Sequence, residues 1–139
     1  MKALQILLMV LFALASFEAA AQRQPVAIIN YENVAVAGLG GQPLTAAQVK
    51  EAIKSAAAER QWEVTDSGPD RMLATLHVRG KHTAQTEIVY TPATVSLVYK
   101  DSVNLKYAPG PDGKGVIHPF YNRWVQDLKE SIRLTLATK

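Results

Sequence analysis

The stretch RMLATLHVRGKHTAQTEIVY, residues 71–90, decides the fold. In its first half Met72, Ala74, Leu76 and Val78 alternate with Leu73, Thr75, His77 and Arg79, the period of two that belongs to a strand with one buried face. The run from His82 to Thr91 repeats this, with Ala84, Ile88 and Tyr90 on even positions and Thr83, Gln85 and Glu87 on odd ones. Gly80 separates the two runs, so the stretch reads as a β-hairpin. Parity sets its register. Even residues must face even residues across the ladder, which a two-residue Gly80-Lys81 turn would violate, so a three-residue loop or a bulge is expected.

Working outward toward the C-terminus, Pro92 marks a turn and Thr94 to Lys100 supplies another strand rich in Val, Leu and Tyr. A bend at Asp101-Ser102 and a resumed strand at Asn104 to Tyr107 are expected, followed by a flexible loop from Ala108 to Gly115. Pro119 suits the first turn of a helix, where its missing N–H has no intrahelical partner to lose. Tyr121, Trp124, Leu128, Ile132 and Leu136 then recur at steps of three or four and form the expected buried stripe, flanked by Phe120 and Val125.

Toward the N-terminus, Trp62 to Thr65 reads as a strand closed by the turn formers Asp66 to Asp70. Thr45 and Gln48 match the capping-box pattern, so a helix begins there, with Val49, Ile53, Ala56 and Ala57 on one face. The small residues Ala52, Ala56 and Ala57 let that helix lie close against a sheet. Ala37 to Pro43 is a loop, and Val26 to Asn30 reads as the first strand. The expected fold is α+β: an antiparallel sheet of four to five strands with two amphipathic helices on one face, in the order β-α-β-β-β-α.

At the extreme N-terminus Lys2 precedes an apolar run from Ala3 to Phe17, and Ala19-Ala20-Ala21 stands just before Gln22. This reads as a cleaved signal peptide over residues 1–21, leaving a single α+β domain over 22–139 and a periplasmic or secreted product without an integral membrane segment. Loss of Lys2 and Glu18 leaves the net charge at +3. That excess is slight and dispersed, so nucleic acid is not an expected partner. With no cysteine in the chain, disulfides, thiolate metal sites and a Cys nucleophile are excluded, as is a lipid-modified cysteine behind the leader.

The densest polar and aromatic set is Asp101, Ser102, Asn104 and Tyr107, then His118, Tyr121, Asn122 and Trp124 beyond the loop. Asp101, Ser102 and His118 are the residue types of a hydrolase or transferase. No nucleophile-elbow glycines surround Ser102, however, and Asp101 and Ser102 also suit a turn held by local bonds. Asn104, Tyr107, Tyr121, Asn122 and Trp124 are the candidate binding residues. His77 and His82 flank the hairpin loop, but two imidazoles without a third ligand at motif spacing do not make a metal site. Gly38 to Gly41 carries neither a Walker lysine nor a dinucleotide fingerprint, so no cofactor is expected.

The strings Tyr99-Lys100-Asp101-Ser102-Val103-Asn104-Leu105-Lys106-Tyr107 and Ile117-His118-Pro119-Phe120-Tyr121-Asn122-Arg123-Trp124 resemble those of a family of small uncharacterised exported proteins from proteobacteria. Many of these are described as lipoproteins. The similarity runs from about Trp62 to Leu136, and the chain departs from the lipoprotein members by lacking the cysteine. The resemblance implies export and brings no activity with it. Residues and resemblance together lead to an expected non-enzymatic binding or interaction protein of the cell envelope, recruiting a protein or glycan through a sheet edge or the polar loop surface. A small hydrolase or transferase and a structural homo-oligomer are the alternatives.

Overall fold

The computed structural model describes residues 24–139, and the leader assigned to residues 1–21 lies outside the described residues. Among these described residues eight strands and two α-helices follow in the order β1 (Val26–Ala27), β2 (Tyr31–Ala35), α1 (Ala46–Glu59), β3 (Glu63–Gly68), β4 (Arg71–Val78), β5 (His82–Tyr90), β6 (Thr94–Val103), β7 (Ala108–Pro109), β8 (Gly115–Ile117) and α2 (Pro119–Ala137). Five strands form one antiparallel sheet in the order β2-β6-β5-β4-β3. The chain crosses from the β2 edge to the β3 edge through α1. Both helices cover one face, which makes this the expected α+β architecture.

The β4–β5 hairpin has the register that parity demands. Leu76 faces Ala84 and Val78 faces His82, leaving the three residues Arg79, Gly80 and Lys81 as the loop. Met72, Ala74, Ala84 and Ile88 are fully buried beneath the helices, together with Val49, Ala52, Ile53, Ala56 and Ala57 of α1. The α1 start is a complete capping box. The Gln48 N–H donates to Thr45 Oγ1 at 3.1 Å, and the Thr45 N–H donates to Gln48 Oε1 at 2.9 Å.

Departures from the expected pattern are concentrated at bulges and in the C-terminal half. The first sheet strand is Tyr31–Ala35, while Val26–Ala27 joins a separate three-stranded sheet in the order β1-β8-β7. Between the two strands the side chain of Asn30 accepts the Tyr99 N–H at 2.9 Å, and Asn33 adopts φ 52° within a bulge of β2. Instead of bending at Asp101-Ser102, β6 runs on to Val103 and absorbs one extra residue, Lys100, because Thr86 faces Tyr99 whereas Gln85 faces Asp101. Residues 104–107 are irregular, and the loop expected over Ala108 to Gly115 closes as the β7–β8 ladder.

On α2 the fully buried stripe is Tyr121, Val125, Leu128, Ile132 and Leu136. Trp124 is only partly buried at the margin of the core, and Phe120 is 51% exposed. The expected aromatic row therefore turns inward at Tyr121 and outward at Phe120. Among the described residues no helix is long and apolar enough to cross a membrane.

Candidate functional site

The Lys100 bulge decides how the candidate residues of β6 are disposed. The extra residue reverses the alternation, so Tyr99 and Ser102 both face the helices although they lie three apart. Their hydroxyls meet at 2.8 Å. Asp101 pairs with Gln85, on the opposite face, and its Oδ1 accepts the backbone N–H of Ser102 at 2.8 Å. Neither Asp101 nor Ser102 lines the cavity bordered by His118. His118 caps α2, its Nδ1 accepting the Phe120 N–H at 3.1 Å.

Tyr99 also gathers aromatic neighbours. Tyr107 stacks on it with ring centroids 4.7 Å apart, and Tyr121 meets it edge-on at 5.4 Å. Tyr121 is fully buried, and its hydroxyl has no hydrogen-bond partner among the described residues. The Thr86 hydroxyl lies near enough to ease the cost of that burial, but it donates its own proton to the Val98 carbonyl at 3.1 Å and is not aligned as a bond to the phenol. Burial holds the Tyr121 phenol well above its ordinary ionisation range, and the same cause raises Tyr99 less strongly. Asn122 is a strut: its amide donates to the Ala27 carbonyl at 2.9 Å and its Oδ1 accepts the Ile29 N–H at 3.0 Å, tying the small sheet to α2.

Two openings flank the 104–107 segment. The larger, about 730 Å³, lies beneath the β7–β8 hairpin, with Tyr99, Tyr107, Lys100 and Lys114 among its walls. The second, about 550 Å³, is floored by the first turns of α2 and walled by Asn104, Leu105 and Lys106. An adjoining cavity of about 260 Å³ brings Arg79 and Arg123 beside the shared residues His82, Phe120 and Trp124. These two cavities together form one groove between the hairpin loop and the start of α2. Its floor steps from His118 to Phe120 at 4.6 Å between ring centroids and from Phe120 to Trp124 at 6.0 Å.

The groove carries one sign of charge: among the described residues no Asp or Glu lines either cavity. Arg79 and Arg123 have no ion pair among the described residues, whereas Arg71 is paired with Glu87 and Arg133 with Glu130. The backbone around it is unusually constrained, with Arg79, Asn104 and Lys106 at φ 55°, 59° and 56°, a region that side chains other than glycine rarely occupy. His82 is oriented by its Nδ1–H, which donates to the Asn104 carbonyl at 2.8 Å and leaves Nε2 as the acceptor in the neutral ring. His77 bonds to Thr83 instead, so the two hairpin histidines serve separate partners, and among the described residues no three His, Asp or Glu side chains gather as metal ligands.

Of the residues singled out from sequence, the groove takes Asn104, His118, Trp124 and the hairpin residue His82, while Asp101, Ser102, Tyr107, Tyr121, Asn122 and His77 lie elsewhere. Sequence reasoning missed Arg79, His82, Phe120 and Arg123 as members of one surface. The available signal was the three-residue hairpin loop, which carries two cations, Arg79 and Lys81, beside His82. Comparison of the chain with protein families, curated proteins and solved structures finds no match.

Proposed function

We propose that this is an exported, non-enzymatic binding protein of the cell envelope, and that it works through the aromatic, cationic groove at the start of α2. The observation that carries the reading is the coincidence of partly open Phe120 and Trp124 with two arginines that have no ion pair among the described residues, in a concavity that no described carboxylate lines. Aromatic anchors and arginine are the side chains that dominate recognition surfaces. The hydrolase alternative is less well supported, because the Ser102 hydroxyl is bonded to Tyr99 and His118 Nδ1 is committed to the helix cap. Export rests on the leader read in residues 1–21 and on the resemblance to exported proteobacterial proteins.

Two measurements test this. Mass spectrometry of the exported protein is expected to give an N-terminus at Gln22, and a product that retains its leader would remove the localisation. Immobilised protein incubated with envelope extract is expected to retain a component that the double variant Phe120→Ala, Arg123→Gln does not. Equal retention by both, or chemical turnover of a component that is abolished by Ser102→Ala, would contradict the binding reading.

A further inference from the structure

We infer that the groove takes an acidic glycan, a chain of sugar rings carrying carboxylate or sulfate groups; this rests on the binding reading above and names its ligand. Charge comes first. Arg79 from the hairpin loop and Arg123 from α2 both border a cleft that no acid of the described residues lines, and a cleft with low-dielectric walls lined by one sign of charge concentrates ligands of the other. The planar guanidinium matches carboxylate and sulfate oxygens two at a time.

The floor supplies the second argument. His118, Phe120 and Trp124 follow one another with interplanar angles of 55° and 42°, so the apolar surface is stepped and offers no single flat slab. Successive pyranose rings present flat C–H faces at changing tilt along a chain, and each can lie on one step. Sugar hydroxyls then need acceptors, and His82 supplies Nε2 at the junction of the two cavities. A peptide in extended form would call for an edge strand, which neither cavity offers: the strand residues in their walls, Val78 and His82, belong to β4 and β5 inside the five-stranded sheet, and the rest come from the hairpin turn, an irregular segment and a helix. A bilayer surface would call for a protruding patch, and this one is recessed.

The constrained backbone fits a preformed site. Arg79, Asn104 and Lys106 hold left-handed conformations that fix the rim before any ligand arrives, which lowers the ordering cost of binding.

The test is calorimetric titration of the purified exported protein with a galacturonic acid tetramer and with a heparin-derived tetrasaccharide, beside the methyl-esterified galacturonate tetramer as the uncharged twin. Vesicles containing phosphatidylglycerol and an octaglutamate peptide form the remaining arms. At least one acidic tetrasaccharide is expected to bind, with the ester at least about tenfold weaker, and Arg79→Gln and Arg123→Gln each weakening binding by about tenfold at unchanged melting temperature, as loss of one charge-assisted contact predicts. The inference is overturned if neither acidic tetrasaccharide binds, if the ester binds equally, if the arginine variants bind as wild type does, or if vesicles or octaglutamate bind more tightly than both glycans. In each of those cases the broader binding reading stands or falls separately, on whether the groove variant still loses its envelope component.

Discussion

The two tryptophans occupy corners of opposite character. Trp62 follows α1, is 4% exposed, and has its backbone N–H donated to the Ala57 carbonyl at 2.9 Å, sealing the turn from helix into β3. Trp124 stands one turn inside α2 and stays partly open above the groove, with Phe120 as its neighbour. Identical side chains thus close one corner and furnish the other. The difference lies in what surrounds them. Alanines of α1 let the helix settle over Trp62, whereas beside Trp124 the hairpin loop and the 104–107 segment are tied to each other, the Asn104 amide donating to the Lys81 carbonyl at 3.3 Å and His82 Nδ1–H to the Asn104 carbonyl at 2.8 Å, and they leave the start of α2 partly open.

The sharpest way to break this comparison is to empty both corners. Trp62→Ala is expected to cost ~3–5 kcal/mol in urea-induced unfolding, the range for deleting a large aromatic from a closed core. Trp124→Ala removes less buried area and should cost only ~1–2 kcal/mol. Equal losses at the two sites would mean that the groove is closed in solution and that Trp124 is an ordinary core residue.

A smaller effect sharpens the contrast from inside the core. The Tyr121 hydroxyl is buried without a partner among the described residues, so Tyr121→Phe is expected to stabilise the fold by ~1 kcal/mol, since an unmet polar group is removed while the ring remains. A pH effect accompanies it. Burial raises the phenols of Tyr121 and Tyr99 above the ordinary value of 10.0, while the unfolded chain ionises at that value, so the unfolded state holds fewer protons in alkali. Stability is therefore complete below pH ~10 and falls as pH rises toward the folded values. In Tyr121→Phe most of that alkaline loss should vanish, leaving the lesser share of Tyr99; an unchanged alkaline profile would contradict the burial of the phenol.

The smallest effect is local. Thr45→Ala should cost ~1 kcal/mol through loss of the capping box, with no change in ligand binding, because α1 begins far from the groove in the chain and contributes no residue to it. A loss of binding without loss of stability would show that the closed and open corners are coupled.

Much of the fold was legible because its signals are local. The hairpin register followed from parity, α1 from Thr45 and Gln48, and the α2 stripe from its spacing. The bulge at Lys100 was not legible, since an extra residue leaves no mark on composition, and it is what turns Ser102 toward Tyr99 and away from Asp101. The β7–β8 ladder was hidden among Pro and Gly residues that equally suit a loop. A spacing of three from Tyr121 places Trp124 in the core by pattern alone. Only the path of 104–106 and the hairpin tip determine that its side of the helix stays uncovered. The groove was the least legible feature, being assembled from residues 78–82, 104–106 and 118–124, which no spacing rule connects.

The most direct test of an open, ligand-binding corner set against a closed one uses the two indole N–H signals in a ¹⁵N NMR spectrum, assigned by Trp62→Phe and Trp124→Phe. Titration with the acidic tetrasaccharide is predicted to move the Trp124 signal progressively while the Trp62 signal stays fixed. Movement of Trp62 with Trp124 unmoved, or no movement of either at saturating ligand, would contradict the account.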